Sequence, residues 1–140
     1  MTNRPAKRKK VNKESATYLK KKLDNVFSKY IRAKYKKECY TCGSRPNVLQ
    51  CGHFVSRLYL ATRWDENNCR PQCAGCNIWG RGQLLDFEEN LIQELGLETV
   101  LDLKQKRKQL CKPKPAWYKE QIAHYEQELA KFEKSNPVQN

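Results

Sequence analysis

Apolar residues near the N-terminus recur every three or four positions, which is the period of one face of an α-helix. The apolar positions are Leu19, Leu23, Val26, Phe27, Tyr30 and Ile31. They predict a basic amphipathic helix over residues 13–37, with Ser15 as a candidate N-cap. Lys20, Lys21 and Lys22 lie on other faces of this helix and are candidates for contacts with phosphate groups.

The pattern changes over residues 38–83, where cysteine, glycine and proline interrupt short apolar segments. Such interruptions are typical of a small unit whose loops are held by metal ligation. Polar and apolar residues partly alternate over residues 48–55, which predicts a short β-hairpin there. We therefore expect strands in this region and helices on either side of it, which is an α+β fold.

The helical period returns after residue 83 and continues to residue 134. Gly96 is a candidate C-terminal cap for the first of three predicted helices. The second helix is predicted over residues 98–109, and the third begins near Pro115. The third helix carries a near-heptad stripe of Tyr118, Ile122, Tyr125, Leu129 and Phe132. This stripe could form the seam of a homodimer or pack back on the domain, and for so short a segment we favour packing back.

Positive charge is concentrated at the N-terminus. The chain has 28 Lys and Arg residues against 15 Asp and Glu, a formal charge of +13, and residues 1–37 contribute +12 of it. We predict a disordered basic arm over residues 1–12 and a short tail over residues 135–140. A basic arm on a nearly neutral body favours a nucleic-acid partner over a merely solvated arm or a membrane-surface tether.

Neither a membrane span nor a secretory signal is expected. No apolar run approaches the ~20 residues that a span needs, and no apolar segment follows MTNRPAKRKK. The seven cysteines are an odd number, which argues against a fully paired disulfide framework and for metal ligation. These features favour a cytoplasmic location.

Two Cys-x-x-Cys pairs, CYTC at 39–42 and CAGC at 73–76, are separated by thirty residues. Together they offer the four thiolates of a closed, tetrahedral structural zinc site. We predict that the zinc ligands are Cys39, Cys42, Cys73 and Cys76. Cys51 or Cys69 could replace one of them, and Cys111 is expected to be a free thiol. A redox role is less favoured, because the chain has no βαβ pattern.

This zinc frame encloses one of the two histidines, His53, and the asparagines Asn68 and Asn77 follow it along the chain. The three residues resemble the HNH, or ββα-metal, nuclease motif in its zinc-stapled, endonuclease VII-like type. The phrases QCGHFVSR, ATRWDENNCRPQC and GCN, with the basic N-terminal helix, resemble the lambdoid phage NinG (Rap) family of recombination endonucleases. The resemblance is densest over residues 38–83.

The resemblance implies a ββα-metal (HNH-like), zinc-stapled nuclease core over residues 38–83, with helical N- and C-terminal flanks. It implies that His53 is the general base, that Asn68 orients it, and that Asn77 binds a catalytic Mg²⁺ or Mn²⁺ ion. The implied activity is metal-dependent endonuclease cleavage of branched DNA, such as D-loops and Holliday junctions. Partners would be phage or host recombination proteins in the bacterial cytoplasm, and symmetric junction cleavage would call for a homodimer.

The residue types suit this chemistry. An imidazole with an ordinary pKa near 6.5 accepts a proton from water at neutral pH. Arg57, four residues after His53, is the strongest candidate for a phosphate contact, with Arg63 and Arg81 as weaker ones. Trp79 is a candidate for contact with unpaired bases, although core packing is the favoured role for the three tryptophans.

One position departs from the family pattern, because Gly52 stands where many HNH enzymes have an Asp or His metal ligand. Either Asn77 binds the metal together with water and phosphate oxygens, which we favour, or Asp65 or Glu66 reaches in from the loop. The missing ligand side chain at position 52 also fits a second class of function, a non-catalytic zinc-dependent nucleic-acid-binding module or regulator. A third class, a partner-binding adaptor, leaves the spacing of the histidine and the two asparagines unexplained.

Overall fold

Helices make up most of the structure, a computed structural model that describes residues 6–135. In chain order the elements are α1 (Ala16–Lys34), β1 (Gln50–His53), α2 (Leu60–Arg63), β2 (Cys69–Gln72), α3 (Leu84–Leu95), α4 (Leu97–Lys106) and α5 (Pro115–Ser135). A 3₁₀ turn, Glu66–Asn68, leads into β2, and a π-helical turn, Gly75–Trp79, follows it. The predicted α+β class is confirmed. Within the described range, no helix is both long and apolar enough to cross a bilayer.

Helix α1 is the predicted basic amphipathic helix, three residues shorter at each end than expected. Ser15 caps it, because the Ser15 Oγ accepts a hydrogen bond from the Tyr18 amide at 3.2 Å. All six apolar residues predicted for its inner face are buried. Residues 6–12 of the predicted arm form no helix or strand. Residues 1–5 of that arm and 136–140 of the predicted tail lie outside the described residues.

The main core lies between α1 and α5. Phe27 lies edge-on to Tyr125, with ring centroids 5.0 Å apart, and Tyr30 contacts the same ring at 5.1 Å. All five residues of the α5 stripe belong to this core. Three of them, Tyr118, Ile122 and Tyr125, are buried, and Leu129 and Phe132 pack against its edge. The stripe therefore packs back on the domain, and α1 covers the surface that a homodimer seam would need.

Strands β1 and β2 form an antiparallel two-stranded sheet in which His53 pairs with Cys69 and Gly52 pairs with Arg70. β1 lies within the predicted hairpin region, but the prediction of a local hairpin over residues 48–55 is wrong. A hairpin within residues 48–55 would need a turn near Gly52, but Gly52 lies inside β1 and pairs with Arg70. The partner strand comes from further along the chain, after residues 54–68 have formed α2 and the 3₁₀ turn.

A second, smaller core lies between the segment after β1 and the helices α3 and α4. Its buried residues are Phe54, Val55, Phe87, Leu91, Val100 and Leu103. Gly96 separates the two helices, as predicted, with a φ of 90° that glycine adopts without a steric penalty. α4 begins one residue before and ends three residues before the predicted range 98–109.

The predicted ββα arrangement is found only in part. Two strands are present, but the segment directly after β2 is a single π-helical turn rather than an α-helix. This turn is closed by a bond from the Gly80 amide to the Gly75 carbonyl at 2.7 Å. Arg81 and Gln83 then have positive φ values, which interrupts helical structure before α3 begins. The ββα-metal class therefore stays a prediction.

Candidate active site and metal centre

The four cysteines predicted to bind zinc come together in the structure. The sulfur atoms of Cys39, Cys42, Cys73 and Cys76 all lie within 4.8 Å of one another, and those of Cys42 and Cys73 are 3.8 Å apart. The Gly43 amide donates to the Cys39 carbonyl at 2.8 Å, which forms the tight turn of the first pair. Four clustered thiols are the donor set of a structural zinc ion, so this cluster fits zinc.

The four-cysteine cluster joins distant parts of the chain. Within the first pair, the Tyr40 amide donates to the Pro71 carbonyl of β2 at 2.9 Å. The second pair leads directly into the π-helical turn, and Leu49, next to β1, packs against Cys39 and Cys76. A zinc ion held here would fix the π-helical turn against the sheet.

His53 is the last residue of β1, and its ring is held by the backbone. Its Nε2 lies 2.9 Å from the carbonyl oxygen of Arg63. Because a carbonyl oxygen only accepts hydrogen bonds, Nε2 carries a proton, and the lone pair of the neutral ring is on Nδ1. Burial lowers the pKa of His53 below its ordinary value of 6.5, and the charges of Arg57 and Arg63 act in the same direction. The neutral ring is therefore favoured at neutral pH.

Asn68 does not orient His53 in the predicted way. Its side chain is fully buried, and its Oδ1 accepts a hydrogen bond from the Val55 amide at 2.7 Å. Its Nδ2 donates to the carbonyls of Val55 and Thr62 at 3.0 and 3.1 Å. The side-chain oxygen is thus already used, and the Arg63 carbonyl orients the histidine instead. Asn68 acts indirectly, because its hydrogen bonds to Val55 and Thr62 close the loop that carries the Arg63 carbonyl.

Asp24 on α1 holds the same loop from the other side. Its carboxylate accepts two hydrogen bonds from the Arg63 guanidinium, at 2.9 and 2.5 Å, and a third from the Trp64 indole at 2.9 Å. The Arg63 side chain is only 10% exposed. Contrary to the prediction, Arg63 is therefore not free to contact DNA, because its charge is buried and paired inside the protein. Sequence reasoning missed Asp24, because a single acidic residue in a basic helix belongs to no motif.

His53 and Asn77 line the same cleft, which lies between α1, β1 and the π-helical turn. The cleft consists of two adjoining depressions of about 270 and 300 Å³, which share Cys51, His53, Arg57 and Asn77. The Asn77 Nδ2 donates to the Gln50 Oε1 at 2.9 Å, so Oδ1 is the atom of this amide that is left to bind a cation. A larger depression of about 620 Å³ lies between the end of α1 and α3, away from these residues.

Two of the predicted DNA-contacting arginines reach the cleft. Arg57 and Arg81 line its first depression, and both are exposed. Arg57 also contacts Asp24 at 3.3 Å, in a pair whose arginine side chain is 60% exposed. An exposed pair of this kind is worth little, so Arg57 can exchange this contact for a phosphate group.

Gly52 is buried and has no room for a ligand side chain. A Cβ atom at this position would lie 2.0 Å from the Oε1 of Gln72. The Gln72 side chain is itself fixed, because its Nε2 donates to the Thr41 hydroxyl at 3.1 Å and to the Gly82 carbonyl at 2.9 Å. The departure from the family pattern at position 52 therefore has a packing cause.

Asp65 and Glu66 do not take the place of the missing ligand. Asp65 pairs with Lys106 at 2.7 Å, and Glu66 pairs with Lys34 at 2.6 Å. Neither residue lines the two depressions of the cleft. This structure therefore does not support the alternative in which one of them reaches the metal from the loop, and Asn77 stays the predicted ligand. The Asp24 carboxylate also lines the cleft, but it is bonded to Arg63 and Trp64.

A second cluster of metal-binding residue types lies at the cleft. The ligand atoms of Cys51, His53 and Cys69 lie within 4.8 Å of one another. Cys51 and Cys69 thus do not replace a ligand in the four-cysteine cluster. Among the described residues, Cys111 belongs to neither cluster. The sequence carries a signal for the second cluster, because residues two apart share one face of a strand.

The three tryptophans occupy different environments. Trp64 is buried in the main core, and Trp117, which is 37% exposed, packs against it with ring centroids 5.8 Å apart. Trp79 lies at the end of the π-helical turn and is 81% exposed. It stays the candidate for contact with unpaired bases.

Fold and site together define a small, mostly helical α+β protein with a four-cysteine site that is consistent with structural zinc. The family model described as Bacteriophage Lambda NinG protein matches residues 2–135, which is nearly the whole chain. The chain therefore belongs to the NinG family of phage proteins. Comparison with curated proteins and with solved structures gave no match.

Replacing the carboxylate of Asp24 should destabilise the fold. We expect Asp24→Asn to lower the free energy of unfolding by about 3 kcal/mol, because the buried Arg63 guanidinium loses its only ionic partner among the described residues. Urea denaturation followed by circular dichroism measures this change. Glu38→Gln is the matched control, since it breaks an exposed pair with Arg45 and should cost less than about 1 kcal/mol. Equal losses in both variants would contradict the proposed role of Asp24.

Removing one ligand of the four-cysteine cluster should remove the zinc. After dialysis against metal-free buffer, we expect Cys39→Ser to hold one zinc ion per chain fewer than the wild type, because a structural site needs all four ligands. Mass spectrometry of the metal content measures this, and circular dichroism should show loss of folded structure. Cys111→Ser is the control and should keep its zinc. Zinc retained by Cys39→Ser at the wild-type level would contradict the assignment.

Proposed function

We propose that this protein is a divalent-metal-dependent endonuclease with an HNH-like site that cleaves branched DNA, such as D-loops and Holliday junctions. One observation carries the proposal: His53, with its Nε2 held by the Arg63 carbonyl, lines one cleft with Asn77 and with exposed arginines. Membership of the NinG family and the strongly basic N-terminal region support a DNA substrate.

His53 is the general base in this proposal. Its Nδ1 accepts a proton from a water molecule that attacks the scissile phosphate. The hydrogen bond from Nε2 to the Arg63 carbonyl keeps the ring in the tautomer that this transfer needs. The same carbonyl is well placed to accept a stronger bond once the ring is positively charged, which stabilises the imidazolium that forms.

Asn77 is the proposed ligand of the catalytic Mg²⁺ or Mn²⁺ ion, through its Oδ1. One neutral oxygen is a sparse donor set, but magnesium keeps several water ligands and takes phosphate oxygens as further ligands. When bound, the ion would supply positive charge to the phosphate and to the leaving oxygen. Gln50 positions the Asn77 amide, so that its oxygen is presented in a fixed direction.

The DNA backbone is proposed to run along the cleft and the adjoining face of α1. Arg57 and Arg81 would contact phosphates next to the scissile one. Lys21 lies one helical turn before Asn25, which lines the cleft, so these two residues share a face of α1. The side chains of Lys20 and Lys22 are further candidates, although Lys22 lies on the side of α1 that faces α5.

Partners other than DNA are proposals of the same kind. Symmetric cleavage of a four-way junction needs two active sites, hence two chains. Because α1 covers the apolar stripe of α5, a homodimer would have to use another surface. Phage or host recombination proteins, met in the bacterial cytoplasm, are the proposed protein partners.

A non-catalytic zinc-dependent nucleic-acid-binding module is the second candidate function. It is favoured by one observation: within residues 6–135, the depression that contains both His53 and Arg81 is lined by no carboxylate. Both candidates bind DNA through the same cationic residues. They differ in whether a bound strand is cut when a divalent metal is supplied.

Replacing the general base should abolish cleavage without abolishing binding. We expect His53→Ala to cut a labelled four-way junction about 10²- to 10⁴-fold more slowly than the wild type in Mg²⁺, the usual contribution of a general base. Cleavage assays measure the rate, and gel-shift assays should show unchanged junction binding. His124→Ala is the matched control, because His124 is the other histidine and is exposed on α5.

Two outcomes of this experiment would decide against the proposal. Equal rates for His53→Ala and His124→Ala would remove His53 from the mechanism. Binding without cleavage by every variant, in Mg²⁺ and in Mn²⁺, would favour the second candidate. Comparing the junction with a matched linear duplex, in cleavage and in binding, tests the preference for branched DNA.

The pH dependence of cleavage should reflect the lowered pKa of His53. Burial disfavours the imidazolium, so the base form persists to lower pH than for an exposed histidine. We expect kcat/KM, which reports ionisations of the free enzyme, to rise with pH and to level off with a midpoint below 6.5. A midpoint above that value, measured on a junction substrate, would contradict this assignment of the base.

A further inference from the structure

Strand geometry places Cys51, His53 and Cys69 on one face of the two-stranded sheet. Cys51 and His53 are two residues apart in β1, so their side chains point to the same face. Cys69 in β2 is the residue paired with His53, and paired residues of an antiparallel sheet also share a face. The ligand atoms of the three side chains accordingly lie within 4.8 Å of one another.

The environment of this cluster suits a cation that prefers sulfur and nitrogen. Cys69 is fully buried, whereas Cys51 and His53 are partly exposed and line the cleft, so an ion can reach the cluster from that side. The Arg63 carbonyl oxygen lies 3.7 Å from the Cys69 sulfur and 2.9 Å from the His53 Nε2. Both cysteines are free thiols, and therefore available as ligands.

We propose that Cys51, His53 and Cys69 form a second zinc site, separate from the four-cysteine cluster, and that zinc bound there switches His53 off as a general base. Two sulfurs and one imidazole nitrogen are ligands that zinc prefers and magnesium does not. The catalytic Mg²⁺ or Mn²⁺ ion would therefore leave this site empty, and zinc would fill it.

Zinc at this site would inactivate the base whichever ring nitrogen binds it. A neutral imidazole has one lone pair in the ring plane, and a metal ion takes that lone pair. The other nitrogen keeps the proton, so neither nitrogen can accept a proton from water. On binding, the two thiols release their protons to solvent and no electrons are transferred. The inhibitory part of the inference rests on the proposed nuclease function, whereas the binding part does not.

A cobalt titration tests the binding part without any assay of activity. Co²⁺ is added to wild-type protein whose four-cysteine cluster is loaded with zinc, with a phosphine reductant present to keep the thiols reduced. We expect sulfur-to-cobalt charge-transfer absorption that saturates at one equivalent, without release of the zinc already bound. Cys111→Ser should behave in the same way, because Cys111 lies outside both clusters.

Two variants should lose this site. In Cys51→Ser and in His53→Ala we expect cobalt affinity to fall by roughly tenfold or more, since even the loss of an outer partner of a metal site costs that much. Both replacements are at partly exposed positions, which avoids disturbing the buried Cys69. Absence of cobalt absorption in the wild type, or unchanged affinity in both variants, would overturn the inference.

Junction cleavage in Mg²⁺ tests the inhibitory part. Each protein is compared with its own rate in the absence of added zinc. We expect zinc to inhibit the wild type and Cys111→Ser, and to inhibit Cys51→Ser only at roughly tenfold higher concentration. Equal inhibition of all three would contradict a role for this site. A wild type that binds cobalt but never cleaves would instead contradict the proposed nuclease function and leave the metal site standing.

Discussion

The ion pair between Asp24 and Arg63 is the contact on which the geometry of the cleft depends. It is bidentate and largely buried, and the Trp64 indole adds a third hydrogen bond to the same carboxylate. The backbone carbonyl of Arg63 in turn holds the His53 ring. Arg63 therefore links α1, which carries six basic residues, to the histidine.

The opposite wall of the cleft is fixed by different means. The π-helical turn that carries Asn77 has little apolar packing of its own, because Ile78 and Trp79 are exposed. It is attached through the four-cysteine cluster and through the bond from Asn77 to Gln50. A zinc ion held by the four cysteines would do for this turn what the Asp24 carboxylate does for α1. Small proteins use metal ligation in this way where the apolar core is too small to order every segment.

The long helices and the four-cysteine cluster are predictable from the sequence, because apolar periodicity and cysteine spacing are local properties. The strand partner of β1 is not, since it depends on a loop that the buried Asn68 side chain closes. The same holds for Arg63: its residue type fits a phosphate contact as well as it fits a buried pair. Only the position of Asp24 on the packed helix decides between these roles. Local patterns thus predict elements and ligands, while tertiary contacts assign the partners of polar side chains.

The packing of Gln72 against Gly52 has a consequence for how sequences of this kind can change over time. Any side chain at position 52 would displace the Gln72 carboxamide, which is bonded to Thr41 and to the Gly82 backbone. An acidic residue at position 52 therefore requires the Gln72 side chain to rotate away or position 72 to carry a smaller residue. Substitution at one of the two positions is thus coupled to the side chain at the other.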